Sequence, residues 1–281
     1  MNSNRGKIYI VGIGPGWPGH MTPRALAAIG DADVIVGYTT YVELIKGVIG
    51  GKPVLATTMT QETKRCSTAI DEAEKGQKVA VISSGDPGVY AMAGLVLELL
   101  SRKYGRDTGH NTGADTGITP EYEMPEVEIV PGVPAVCAAA SLLGAPLMHD
   151  FAAISLSDRL TPWDLIEKRL HAAASSDFVI ALYNPRSKGR VTHAEKARNI
   201  IAQYRDGKTP TGIVRSAMRE DEAVILTTLA GMLDHEIDMQ TIVIVGNSTS
   251  YRWGNWLITP RGYRLESERG TCADDFGGKK S

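Results

Sequence analysis

The sequence predicts an α/β protein built as two successive α/β domains. Three observations carry this reading. Short β-branched apolar runs alternate with helical stretches through the first half, the pattern of a mainly parallel sheet with crossover helices. Around "GAPLMHDFAAISLSD" (residues 144–158) that pattern resets and a second series of strands begins with shorter connections, so its sheet is expected to be mixed. The chain has 281 residues, 43% hydrophobic and 22% charged, enough for one large or two ordinary globular domains. The expected division is residues 1–148, residues 149–263 and a disordered tail over 264–281.

The elements follow in order. "KIYIVGI" (7–13) reads as a buried strand ended by glycine. "TPRALAAIGDA" reads as a helix, with Thr22 as its N-cap and Pro23 in its first turn. "DVIVGY" is a second strand and "VELIKGVIGG" a short helix. "TKRCSTAIDEAEKGQ" is a polar-faced helix closed by Gly76. "KVAVISSGDPG" is a strand with a glycine-rich exit, and "VYAMAGLVLELLSRKYG" an apolar helix. Residues 105–125 are long, polar and glycine-rich and read as a flexible insertion. "EVEIVPGV" is a strand and "PAVCAAASLLGA" a helix. In the second half, residues 162–174 are a helix, "DFVIALYNPRS" a strand and "THAEKARNIIAQYRDG" a helix. "PTGIVRSA", "EAVILTTL" and "TIVIVGNS" are strands, with "NWLITP" a candidate fourth.

Composition excludes several classes. The formal net charge is −2, which gives no support to non-specific nucleic-acid binding. The three cysteines, Cys66, Cys137 and Cys272, are far apart and form no CxxC, which argues against a disulfide framework and a structural zinc site. No metal site is expected. The N-terminal apolar run is too short for a signal peptide, and no stretch approaches the roughly 18 apolar residues of a membrane helix. A cytoplasmic protein without membrane or nucleic-acid partners is expected.

"VGIGPG" (11–16) poses the functional question. A dinucleotide fingerprint needs G-x-G-x-x-G opening directly into a helix. Gly12 and Gly14 fit, but Trp17 holds the third position and Pro15 intrudes. "DVIVGY" ends without the acid that holds a ribose, and no Gly-Lys-Ser/Thr follows for a phosphate loop. A tight turn that only redirects the chain is the competing reading. "VISSGDPGVY" (81–90) and "VPGVPAVCAA" (130–139) repeat the small, polar, glycine-rich exit. Three such exits line a crevice with backbone and small side chains and little fixed positive charge, suiting a ligand that is not a polyphosphate.

"VGIGPGWPGHMT", "SSGDPGVYAMAG", "LYNPRSKGR", "GIVRSAMRE" and "VIVGNS" with "TPRGY" resemble the tetrapyrrole (corrin/porphyrin) methylases over about residues 6–263, apart from the insertion. "MHDFAAISLSDRLTPW" and "LYNPRSKGR" narrow the resemblance to the branch that methylates C17 of precorrin-3B or cobalt-factor III, with ring contraction, in cobalamin biosynthesis. The resemblance implies S-adenosyl-L-methionine in a cleft between two α/β domains, a tetrapyrrole substrate and a homodimer. Carried over by position, Pro15 lies beside the cofactor, Ser84, Gly85 and Asp86 hold its amino-acid end, and Val89 is close by. Pro134 and Ala135 lie near the adenosine, and Tyr183, Asn184, Gly212, Thr241 and Ile242 close over the adenine.

Ring contraction calls for a general acid or base. Asp150 and His149 rank first because they sit at the domain junction, followed by Tyr183 and Asp158; a hydrogen-bonded hinge is the alternative for the His–Asp pair. The carboxylate rim of the substrate calls for cations: Arg186, Lys188 and Arg190 of "NPRSKGR", and Arg215 and Arg219 of "VRSAMRE". Other readings are a methylase of another corrin carbon, a methylase acting on RNA ribose, and a non-catalytic S-adenosylmethionine-binding protein.

Overall fold

A computed structural model describes residues 5–105, 123–187 and 189–264. The elements of the first half are β1 (Lys7–Gly12), α1 (Pro23–Asp31), β2 (Val34–Tyr38), α2 (Thr39–Leu44), α3 (Lys46–Ile49), β3 (Val54–Thr57), α4 (Glu62–Glu74), β4 (Lys78–Ser83), α5 (Met92–Tyr104), β5 (Glu126–Val130) and α6 (Ala135–Leu143). After the two-residue β6 (Gly144–Ala145) come β7 (Phe151–Ser155), α7 (Trp163–Ser175), β8 (Val179–Tyr183), α8 (His193–Ile201), β9 (Pro210–Arg215), β10 (Ala223–Thr228), β11 (Thr241–Val245), β12 (Tyr251–Trp253) and β13 (Trp256–Ile258).

The first sheet runs β3-β2-β4-β1-β5 with every pairing parallel. Its inner strands β1, β2 and β4 are apolar on both faces because helices cover both. Ile8, Ile10, Val79 and Val81 pack against Cys66, Ala69 and Ile70 of α4 and Val96 and Leu100 of α5. The alternate residues Tyr9, Val11, Ala80 and Ile82 pack against Ala25, Ala28 and Ile29 of α1 and Val42 of α2. The α1 start is capped as expected: Thr22 Oγ1 accepts from Ala25 N at 3.1 Å with Pro23 in the first turn.

The second sheet runs β10-β9-β11-β8-β7 and is mixed. β7 and β8 are parallel, β11 is antiparallel to β8 and β9, and β10 is antiparallel to β9. One face packs on Ile166 and Leu170 of α7 and Ala197 and Ile201 of α8. The other takes α6: Val136, Ala139, Ala140 and Leu143 meet Val179, Ala181, Val214 and Ile244. Helix α6 precedes residue 148, yet its apolar side belongs to the second sheet, so it straddles the expected division. "NWLITP" is not a fourth strand of that sheet: β13 pairs with β12 and β6 in a separate three-stranded sheet. The strands β3 and β7, absent from the sequence reading, are half-exposed edge strands without a continuous apolar run. The expected insertion at 105–125, its ends apart, and the tail after Arg264 lie outside the described residues.

Candidate active site

Parallel strands bring their carboxyl ends to one edge of a sheet, where ligands of open α/β sheets bind. In the first sheet that edge carries three loops, after β1, β4 and β5. They meet through backbone. Gly14 N donates to Gly85 O at 3.0 Å and Gly85 N to Gly14 O at 2.9 Å. The left-handed conformations of Gly14 (φ 59°) and Gly85 (φ 68°) permit this reciprocal pair. The bare Cα of Gly132 lies against both loops: a Cβ there would fall 2.3 Å from Gly85 O and 2.7 Å from Gly12 O. Asp86 ties the second loop to the third, its Oδ1 accepting from Gly88 N at 2.8 Å and its Oδ2 from Gly132 N at 3.2 Å. The helix after the first loop starts only at Pro23, behind a single 3-10 turn at Pro18–His20, unlike a dinucleotide fingerprint.

The second sheet turns the carboxyl ends of β7, β8 and β9 toward these loops. Tyr90, held at φ 53° in the second loop, donates its hydroxyl to Ala153 O at 2.8 Å, and its ring lies 5.0 Å from that of Tyr183. Tyr183 Oη accepts from Val136 N at 3.1 Å, fixing the start of α6. Burial pushes the Tyr183 phenol up to about 12, so it keeps its proton at neutral pH. Asn184, at φ 50°, donates from Nδ2 to Ser155 Oγ at 3.0 Å. Arg219, after β9, donates from Nε to Pro15 O at 2.7 Å and from Nη2 to Ser84 Oγ at 3.0 Å. Four of the six described non-glycine residues with positive φ, Tyr90, Asn184, Ser216 and Met218, lie on these facing loops. Such strain collects at functional sites.

The structure thus brings together Pro15, Ser84, Gly85, Asp86, Pro134, Ala135, Tyr183 and Asn184, with Val89 exposed on the second loop. Gly85 contributes its shape, since its own N–H and C=O bond to Gly14. Thr241 opens β11 at the same edge, but its hydroxyl is engaged by Asp238. Ile242 is core, and Gly212 lies in mid-strand beneath α6, where a Cβ would come 2.3 Å from Leu143 Cδ1.

His149 and Asp150 are not brought to this edge. Asp150 O accepts from Val179 N, at the amino end of the β7–β8 pair, so about 13 Å of strand separates it from Tyr183 at a rise near 3.3 Å per residue. Both line an open cavity there with Asp177, Asn247 and Arg261. A junction in sequence does not say which end of the next strand it abuts. At the facing edge stands a pair of which only the carboxylate was singled out: Asp158 Oδ2 lies 3.1 Å from Nε2 of buried His193, whose ring packs edge-on to Trp163. His193 opens an ordinary-looking helix, and no spacing in the sequence singles it out.

The cations divide. Arg190 is buried and donates from Nη1 to Ser157 Oγ at 2.8 Å. Arg215 pairs with Glu236 at 3.4 Å. Arg186 is exposed in a separate surface pocket with Glu195 and His235. Lys188 lies outside the described residues. Arg190 Nε, His193 Nδ1 and Arg215 Nε are buried without a hydrogen-bond partner among the described residues.

The family model of the tetrapyrrole (corrin/porphyrin) methylases matches residues 7–233. A cobalt-factor III methyltransferase of Priestia megaterium is 49% identical over 92% of this chain, which spans 46% of that protein's length. A probable cobalt-factor III C(17)-methyltransferase of Salmonella typhimurium is 48% identical over 92% of this chain and 100% of its own. The crystal structure of the methyltransferase CobJ superposes with a TM-score of 0.79 at 37% identity, covering 91% of this chain and 100% of that one. No helix among the described residues is long and apolar enough to cross a membrane. With three glycine-rich exits joined to a second sheet through Tyr90, Tyr183 and Arg219, and with these relatives, the chain belongs to the tetrapyrrole (corrin/porphyrin) methylases, C-methyltransferases that use S-adenosylmethionine.

Proposed function

We propose that this chain transfers a methyl group from S-adenosylmethionine to C17 of a cobalt-factor III or precorrin-3B type tetrapyrrole and contracts the ring, as a step of cobalamin biosynthesis. The observation that carries the reading is the closure of two opposed sheet edges by Tyr90, Tyr183 and Arg219, in a chain 48% identical to the Salmonella relative along that protein's whole length.

The residues present fit the cofactor. Backbone of three loops, small side chains and a tilted tyrosine pair suit a nucleoside, and a guanidinium suits an amino-acid carboxylate. The proposal keeps Pro15, Ser84, Gly85, Asp86, Val89, Pro134, Ala135, Tyr183 and Asn184 as the holding set. When bound, S-adenosylmethionine supplies an electrophilic methyl group on a sulfonium. The chain's own part is alignment and exclusion of water. The Gly14–Gly85 pair and the Asp86 bridge hold the loops in one shape, and the Tyr90–Tyr183 contact walls one side. Such orientation is worth roughly 7–11 kcal/mol in well-aligned systems. Asp158, oriented by His193, is the group proposed to handle the proton of the contraction, because it stands at the facing edge and His149 and Asp150 do not. Arg190 and Arg215 are kept as substrate cations.

A cytoplasmic homodimer completes the proposal. The exposed Tyr251, Trp253 and Trp256 of the β12–β13 hairpin support self-association. The test incubates the protein with S-adenosylmethionine and either tetrapyrrole and identifies the product by mass and NMR. One methyl at C17 and a contracted ring are expected. A methyl on another carbon refutes the branch, and cofactor binding without turnover on either substrate refutes the enzyme.

A further inference from the structure

We infer that Arg219 is the carboxylate receptor of the cleft, its guanidinium taking a carboxylate from one of the two bound ligands. The inference rests on the proposed function and adds to it a residue with a defined partner chemistry.

Arg219 crosses from the second sheet to the first, and its only hydrogen-bond partners among the described residues are neutral: Pro15 O and Ser84 Oγ. Arg24, Arg205 and Arg215 have counterions in Glu128, Asp177 and Glu236; Arg65 and Arg190, like Arg219, have only neutral partners, but Arg219 alone of these three bridges the two sheets. No described carboxylate oxygen lies within ion-pair distance of Arg219. The acids beside it in sequence hydrogen-bond within their own loop, Asp221 accepting from Ser216 Oγ at 2.8 Å and Glu222 from Met218 N at 2.6 Å; Asp221 acts on the guanidinium only through space. Tyr41, which faces the guanidinium, is held neutral by burial.

Desolvation of Arg219 disfavours its charge, but an arginine does not give up its proton in a protein. A partly desolvated, permanent cation with no carboxylate in direct contact is stabilised when an anion joins it. The two bonds use Nε and Nη2, which leaves the Nη1 donors for a ligand. The loop that presents Arg219 holds Ser216 at φ 48° and Met218 at φ 60°, strain kept in a short segment that Ser216 Oγ anchors to Asp221 and Gln240.

Two ligands could supply the carboxylate: the amino-acid end of the methyl donor, or the acidic rim of the macrocycle. Titration calorimetry on the full chain separates them. The wild type, Arg219→Gln and Arg219→Lys are titrated with S-adenosylhomocysteine, with 5′-methylthioadenosine, which lacks the carboxylate, and with cobalt-factor III at saturating S-adenosylhomocysteine. Loss of one charge-assisted hydrogen bond corresponds to roughly 10- to 100-fold in affinity. If the donor supplies the carboxylate, Arg219→Gln weakens S-adenosylhomocysteine by that factor, leaves 5′-methylthioadenosine unchanged, and Arg219→Lys restores part of the loss. If the macrocycle supplies it, only the cobalt-factor III titration weakens. Equal weakening of S-adenosylhomocysteine and 5′-methylthioadenosine overturns the inference, because the role is then structural; so does no change in any titration. If Arg219→Gln does not fold, Arg219→Lys decides by the same comparison. Wild-type protein with no affinity for S-adenosylhomocysteine sinks the functional reading together with this one, so the two failures are distinct.

Discussion

Substituting Gly132 by alanine tests whether the three loops form a single surface. The φ of Gly132 is not positive, so any damage comes from the added methyl and not from backbone preference. That methyl would lie 2.3 Å from Gly85 O, 2.7 Å from Gly12 C and 2.7 Å from Gly12 O. All three are backbone atoms and cannot rotate away. Reaching ordinary contact near 3.5 Å requires the third loop to retreat by about 1 Å. Gly85 O is the acceptor of Gly14 N, and Gly132 N is a donor to Asp86, so the retreat loosens both ties. Overpacking of this kind costs about 1–3 kcal/mol, which lowers Tm by roughly 2–10 °C in a chain of this size. S-adenosylhomocysteine affinity, read by calorimetry, should fall at least tenfold, beyond the effect on stability. The control is Gly94→Ala, in the first turn of α5 with nothing within 4 Å of the added methyl. It should not lower stability, with a gain of at most about 0.5 kcal/mol, and should leave affinity alone. A Gly132→Ala protein with wild-type Tm and wild-type affinity refutes the convergence of the loops.

Further predictions concern titration, reactivity and proton transfer. Burial raises Tyr183 from 10.0 to about 12 and Cys66 from 9.0 to about 11. The unfolded chain therefore loses these protons first, and stability is full below about pH 9 and falls as pH rises toward 12. Urea melts from pH 8 to 11.5 should show this fall, and it should flatten in Cys66→Ala and in Tyr183→Phe. In a Cys272→Ser background, exposed Cys137 should react with a thiol reagent and buried Cys66 should not. S-adenosylhomocysteine should slow Cys137, which is two residues beyond Ala135; an unchanged rate would place the nucleoside elsewhere. Asp158→Asn should still add the C17 methyl but halt before contraction, seen as an uncontracted methylated product by mass and NMR. His149→Ala and Asp150→Asn should contract normally, and a failure of either to do so would return the acid–base role to the opposite edge.

What the sequence makes legible follows from where its elements lie. The strands β1, β4, β8 and β11 are covered on both faces and read as unbroken apolar runs, because nothing in them needs to face water. The α1 cap reads directly from Thr22 and Pro23, a local hydrogen bond between near neighbours. Edge strands are different. In β3 and β7 at least one face meets solvent, and "VLAT" and "FAAIS" carry no pattern that separates them from loop. The glycines of the three exits are visible, but their meeting point is not: Gly14 and Gly85 are joined across 71 positions, and Gly132 reaches both.

That the acid–base candidates of one short segment fall at two different edges has one physical origin, the unread strand β7. Once residues 151–155 are a strand parallel to β8, direction alone divides the segment "HDFAAISLSD". His149 and Asp150 precede the strand and fall at its amino end, while Ser155 ends it and Ser157 and Asp158 follow, at its carboxyl end with Tyr183. Ser155 and Ser157 then meet Asn184 and Arg190, and Asp158 meets His193. Chemistry in this fold is thus assigned by strand polarity before residue type. An acid that follows a strand lies at its carboxyl edge, and an equally reactive acid before the same strand lies at the opposite edge. The same rule places Arg219 four residues beyond β9, on the edge where a second sheet can hand a charge to the first.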